Sequence, residues 1–69
     1  MPLTLATKGH PAFIKRIIGK DEVRRHLANL GLIEGKEITL VSQVGGNVVV
    51  RIGDLRVALD RSLAQRIMV

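Results

Sequence analysis

The clearest hydrophobic pattern in the chain is a pair of alternating segments in its C-terminal third. In residues 48–52 and 55–59 every second side chain is a valine, leucine or isoleucine, and Gly53-Asp54 separates the two segments. A two-residue loop of this type joins antiparallel strands as a tight hairpin. A register shift of one residue would bury Arg51 and Arg56, so the pairing is strongly specified. One face is then wholly aliphatic, with Val48, Val50, Ile52, Leu55, Val57 and Leu59.

One segment has helical rather than alternating periodicity. Val23, Leu27 and Leu30 recur at positions i, i+4 and i+7 and form a single apolar stripe. Gly31 follows the last apolar position, where a residue with positive φ commonly ends a helix. We therefore predict a helix of about three turns over residues 20–30, with Leu32 and Ile33 returning to the core.

Turn residues divide the rest of the chain into short segments. The aliphatic ones predict three further strands, over residues 12–18, 36–42 and 67–69. The first should bend near Lys15 and Arg16, because its alternation is imperfect. Asp60 is a plausible cap for one helical turn over residues 61–66.

These elements predict a mainly β fold, a small barrel of about five strands. Its one α-helix lies between strands 1 and 2, and a short helical turn lies near the C-terminal end. The predicted core is Val23, Leu27, Leu30, Ile38, Leu40, Val48, Val50, Ile52, Leu55, Val57, Leu59 and Ile67. The predicted turn glycines are Gly31, Gly35 and Gly53.

Composition narrows the functional classes. The 69 residues predict a single domain over 1–69, and the absence of cysteine excludes disulfides and thiolate zinc sites. Phe13, the only aromatic residue, is expected to be needed in the core. A filled interior leaves no room for a catalytic cleft, so we predict a binding module and not an enzyme. No leader or membrane-spanning segment is visible, which predicts a cytoplasmic protein.

The net charge of +5 favours an acidic partner. Arg51 and Arg56 oppose each other on the outer face of the hairpin, where they form a basic surface or simply two solvated side chains. Arg24 and Arg25 lie outside the apolar stripe of the helix, where they either contact a partner or form a solvated face, and we expect Arg25 to pair with Asp21.

Three further residues are weaker candidates for a site. Val44 lies at a turn, where it contacts a partner or folds over the end of the barrel. His26 and His10 are the only histidines, and nearby carboxylates offer at most a weak site for a divalent transition metal, since no ligand spacing marks one out. No cofactor is otherwise predicted.

Two motifs together resemble the FeoA family of ferrous iron transport accessory proteins. The first is Leu27-x-x-Leu30-Gly31-Leu32-x-x-Gly35, followed by Ile38 and Leu40. The second is Val57-Ala58-Leu59-Asp60-Arg61, followed by Ala64-x-x-Ile67-x-Val69. The chain departs from the family at Glu34, where proline is usual, and in the compact turn over residues 43–47.

The resemblance implies an SH3-like barrel and a cytoplasmic accessory role. The implied partner is FeoB, a membrane transporter that combines a GTP-binding domain with a ferrous-iron permease. The same barrel resembles the C-terminal domain of iron- and manganese-dependent repressors, so a metal-sensing domain is one alternative. A small basic nucleic-acid-binding barrel is another, although base stacking would require an exposed aromatic residue. Weak self-association through a free sheet edge is conceivable.

Overall fold

Two antiparallel sheets and two helices make up the fold of this computed structural model, which describes residues 1–69. The strands are β1 (Pro11–Phe13), β2 (Arg16–Ile17), β3 (Glu37–Val44), β4 (Asn47–Ile52), β5 (Leu55–Asp60) and β6 (Ile67–Met68). The helices are α1 (Asp21–Asn29) and α2 (Arg61–Ala64), with a 3-10 turn over Leu3–Leu5. The larger sheet has the order β1-β3-β4-β5, and β2 pairs with β6. The fold is mainly β, as predicted.

Two glycine-led turns set the register of the larger sheet. Gly45 and Gly53 have φ values of 60° and 58°, and each is the first central residue of a two-residue hairpin turn. Glycine adopts this conformation without steric cost. The β4–β5 register is the predicted one, with the inward pairs Val48–Leu59, Val50–Val57 and Ile52–Leu55.

The predicted first strand is two strands in different sheets. β1 pairs with β3, whereas β2 pairs with β6. Between them, the backbone of Ile14 is bonded to Lys36 and Gly35, and its side chain is buried. The chain therefore passes from one sheet to the other close to the predicted bend at Lys15 and Arg16.

The end of α1 differs from its predicted packing. Leu27 is completely buried and Val23 packs partly against the core, but Leu30 is 36% exposed. Leu30 follows the last residue of α1, so the stripe leaves the core there. Gly31 has a φ of 91° and turns the chain so that Leu32, and not the exposed Ile33, enters the core.

A single aliphatic cluster fills the space between the two sheets and α1. Predicted core members Val23 and Val57 are only partly buried, and they pack against this cluster. Leu3 in the 3-10 turn is completely buried, and sequence patterning did not identify it. The buried members are Leu3, Ile14, Ile17, Leu27, Leu32, Ile38, Leu40, Val48, Val50, Ile52, Leu59, Ala64, Ile67 and Val69.

Two further residues expected in the core are exposed. Leu55 is 68% exposed because it lies next to a hairpin turn on an edge strand, with a neighbouring strand on one side only. Phe13 is 59% exposed because Ala12 pairs with Ile38 and takes the inward position, which leaves Phe13 beside Glu37 on the outer face.

A bulge in β3 allows one polar side chain to point inward without penalty. The register shifts between Leu40 and Ser42, so Gln43 lies opposite the buried Val48. The Gln43 side-chain amide donates a hydrogen bond of 2.7 Å to the Thr4 carbonyl. This bond satisfies the amide and links the N-terminal turn to the end of the sheet.

Candidate functional site

The outer face of the larger sheet holds a row of side chains that crosses all of its strands. Pro11 pairs with Thr39, Thr39 with Arg51, and Arg51 with Arg56. Arg51 and Arg56 are one pair removed from the hairpin turn, so they form a non-hydrogen-bonded pair, in which side chains approach most closely. No acidic side chain neutralises either of them, because the only ion pair in the chain joins Asp21 and Arg24.

A shallow cleft of about 390 Å³ opens on this same face. Its walls come from the outer residues of β1, β3 and β4 and from the two turns beside them. The lining residues are Phe13, Gly35, Lys36, Glu37, Thr39, Arg51 and Gly53. The barrel interior remains filled by aliphatic side chains, so the cleft is a surface feature.

The arginines of α1 do not pair as predicted. Asp21 pairs with Arg24, three residues later, and not with Arg25. Both arginines are exposed, and Arg25 makes no ion pair. Residues at i and i+3 are neighbours on a helix just as those at i and i+4 are, so helical spacing alone could not choose the partner.

Val44 and the histidines lie apart from the cleft. Val44 is 72% exposed, so it does not fold over the end of the barrel, and it forms the last pair before the turn that joins β3 to β4. His10 and His26 are both exposed. The fold assembles no group of three or more histidine, cysteine, aspartate or glutamate side chains that could together hold a metal ion.

Asp60 has a structural role at the end of β5. Its carboxylate accepts a hydrogen bond of 2.9 Å from the Leu63 backbone N–H and one of 2.8 Å from the Ser62 hydroxyl. The Leu63 bond, followed by the Ser62 bond, holds the pKa of Asp60 below its ordinary value. Asp60 therefore caps α2 and, as a carboxylate committed to that cap, is not a free ligand.

Sequence patterning identified Arg51 but missed the rest of the cleft. Phe13 and Ile14 are adjacent, so within one strand only one of them can face the core. An exposed Phe13 could therefore have been predicted from its position next to Ile14. Nothing in the sequence brings Lys36, Glu37 and Thr39 next to Arg51, because that proximity depends on the register of β3 against β4.

Comparison with known proteins identifies the family. A FeoA domain model matches residues 1–69. This chain belongs to the FeoA family. The family is linked to ferrous iron transport and consists of small accessory proteins rather than known enzymes. No curated protein sequence matches the chain significantly.

Solved FeoA structures share the fold. A crystal structure of the iron uptake regulatory protein FeoA has a TM-score of 0.87 at 28% identity, over 97% of this chain and 89% of that one. Iron(II) transport protein A from Clostridium thermocellum has a TM-score of 0.89 at 31% identity, over 99% of this chain and 43% of that one. FeoA from Stenotrophomonas maltophilia, described as an SH3 domain protein complexed with zinc, has a TM-score of 0.81 at 27% identity, over 99% of this chain and 87% of that one. The fold is therefore the SH3-like barrel expected from the resemblance.

The predicted likeness to metal-dependent repressors extends to the fold. A manganese-dependent transcriptional repressor has a TM-score of 0.86 at 21% identity, over 97% of this chain and 39% of that chain. At this identity the comparison shows a shared architecture only. Neither helix of the present chain is long or apolar enough to serve as a transmembrane span.

Proposed function

We propose that this chain acts in the cytoplasm as an accessory subunit of ferrous iron transport that binds a FeoB-type membrane transporter. In this proposal, residues 1–69 act as one domain, and the chain catalyses no reaction itself. Membership of the FeoA family supports the link to iron transport. The contact surface is the outer face of β4 and β5.

The unpaired arginine pair is the observation that supports this surface. Arg51 and Arg56 face each other across two strands, where like charges are mildly destabilising. Their charge is not neutralised within the chain. An acidic surface on a partner would remove that repulsion on binding and would steer the approach of the two proteins.

Binding to the purified transporter in detergent tests the proposal. We expect the double variant Arg51→Glu/Arg56→Glu to lose about tenfold or more in affinity, because two attractive contacts become repulsive. The variant Lys15→Glu/Lys20→Glu makes the same change in net charge outside β4 and β5 and should bind within about twofold of wild type. Circular dichroism spectra of all variants should coincide.

Reversal of the helix arginines separates the two candidate surfaces. If Arg24→Glu/Arg25→Glu weakens binding and the β4–β5 variant does not, the docking surface is α1. If the wild-type chain does not bind the transporter at low or physiological salt, the partner assignment itself is wrong. The turn that contains Val44 is tested in the same assay with Val44→Ser.

Metal sensing is the second candidate, and the zinc complex of the Stenotrophomonas maltophilia protein favours it. In the present chain, only the exposed His26 and His10 and scattered carboxylates are available as ligands. Saturating ferrous, manganous or zinc ion should raise the melting temperature if the folded chain binds metal. Loss of that shift in His26→Ala or His10→Ala would identify the ligand, and no shift with any of the metals would exclude this candidate.

A further inference from the structure

We propose that the cleft beside Arg51 binds a short extended peptide that carries a carboxylate next to an apolar side chain. The proposal rests on the proposed function, because it assumes that the ligand belongs to a protein partner. The carboxylate would lie against Arg51, Lys36 and Thr39, and the apolar side chain against Phe13. Four features of the cleft favour an acidic peptide over other ligands: a free hydroxyl, an excess of positive charge, an aromatic wall and a small volume with glycine at its edges.

Thr39 provides an unused hydroxyl in the floor of the cleft. It is the only buried polar or charged residue of the chain, at 8% exposure, and its side chain makes no hydrogen bond. No side-chain polar atom is both fully enclosed and without a partner, so this oxygen reaches the cleft surface. A hydroxyl that makes no bond within the chain and reaches the surface of a cleft is free to donate a hydrogen bond to a ligand carboxylate.

The charges around this hydroxyl favour an anion. Lys36 and Arg51 both line the cleft and form no ion pair. Arg56 lies directly across from Arg51 and adds to the positive potential. Glu37 also lines the cleft, and its carboxylate weakens the binding of an anion without outweighing the two cations. A hydrogen bond between a carboxylate and a guanidinium is roughly twice as strong as a neutral one.

Phe13 provides the apolar wall. Its ring is more than half exposed beside Glu37 and is the only aromatic group of the chain. Covering an aromatic ring with an aliphatic side chain removes apolar surface from water. Phe13 therefore favours a ligand that pairs an apolar group with its carboxylate over an inorganic anion.

The size and edges of the cleft suit a short extended segment. Its volume of about 390 Å³ holds a few side chains and no folded element. Gly35 and Gly53 line it without side chains, and a Cβ added to either would meet no atom within 4 Å. A peptide backbone can approach closely at such positions.

Chemical-shift titration of the isotope-labelled full chain tests the site directly. The probe is a capped synthetic peptide in which aspartate alternates with leucine, and its matched controls replace every aspartate with asparagine or every leucine with alanine. We expect the acidic peptide to shift the amide signals of residues 35–39 and 51–53. Each control peptide should bind at least about fivefold more weakly, since a charge-assisted bond or an apolar contact is lost.

Substitutions in the chain test the contribution of each cleft residue to peptide binding. Arg51→Gln, Thr39→Val and Phe13→Ala should each weaken peptide binding by about fivefold or more. Arg16→Gln and Leu5→Ala change the same kinds of exposed side chain elsewhere and should leave it unchanged. Glu37→Gln should strengthen it by about twofold or more, because a like charge is removed.

Three outcomes would overturn the proposal. The first is the absence of shifts at the cleft with the acidic peptide. The second is tighter binding of single-stranded DNA by the same residues at physiological salt, which would favour the nucleic-acid alternative. The third is a concentration-dependent shift of these signals without peptide, which would assign the cleft to a second copy of the chain. The transporter assay is separate from the peptide titration. If the chain binds the transporter but the cleft does not bind the acidic peptide, only this inference is wrong and the proposed function is unaffected.

Discussion

The two faces of the β4–β5 hairpin differ in charge and burial although they alternate along the same strands. On the inner face, Val48, Val50 and Leu59 are almost completely enclosed by aliphatic side chains. On the outer face, Arg51 and Arg56 are exposed, oppose each other and have no acidic partner within the chain. The inner face provides stability, whereas the outer face contributes little to it and remains available for binding.

This separation teaches that binding and stability can be altered independently in a very small domain. A chain of this size buries a limited core, so each inner residue contributes a large share of its stability. An exposed charge contributes little, because water and salt screen it.

Leu55 and Leu59 occupy alternate positions on the same face of β5, and the largest effect is expected when Leu59 is truncated. Leu59→Ala should lower the free energy of unfolding by about 2–5 kcal/mol, because Leu59 is 3% exposed and its removal leaves a cavity. Leu55→Ala should change it by no more than about 0.5 kcal/mol, because that side chain is already in water. Urea unfolding followed by circular dichroism measures both. Equal losses of stability in the two variants would show that Leu55, beside the hairpin turn, is packed against other side chains.

A smaller effect is expected at the turn between β3 and β4, which sets the register of both faces. Gly45→Ala should lower the free energy of unfolding by about 1–3 kcal/mol, because a φ of 60° strains any residue with a Cβ. Gly46→Ala is the matched control, since Gly46 lacks a positive φ and neither added Cβ would meet an atom within 4 Å. Thermal unfolding compares them, and a larger loss for Gly46→Ala would contradict the assigned turn.

Removal of one outer arginine should stabilise the fold. Arg56→Gln relieves the repulsion from Arg51 and should raise the free energy of unfolding by about 0.2–1 kcal/mol at low salt. The gain should disappear near about 1 M NaCl, where the Debye length is about 3 Å. Arg25→Gln should show no such gain. A loss of stability at low salt would mean that Arg56 makes a stabilising contact.

The smallest effect concerns the cap of α2 and depends on pH. The folded-state pKa of Asp60 is lowered, so its contribution to stability is present above the unfolded-state pKa and is lost as the pH falls through the lower folded-state value. The melting temperature of wild type should exceed that of Asp60→Asn near neutral pH, and the difference should shrink below about pH 4. A constant difference across this range would show that the carboxylate charge is not responsible.

Most of the larger sheet could be predicted because its signals are local. The Gly53-Asp54 loop and the alternation around Val50 are enough to define the β4–β5 register. The cap at Asp60 is likewise a short-range signal. The cleft could not be predicted in the same way, because Phe13, Thr39 and Arg51 meet only through the pairing of β1 with β3 and β3 with β4.

Local sequence signals were enough for the β4–β5 hairpin, the turn positions and the outward pair Arg51 and Arg56, since hydrophobic alternation and glycine conformation act over a few residues. The division of the first predicted strand between two sheets, and the choice of hydrophobic residues that reach the core, depend on tertiary packing. Leu55 and Phe13 are apolar but exposed, and Leu3 is buried without any periodic signal. Burial depends on the segments that cover a side chain, and those segments are distant in sequence.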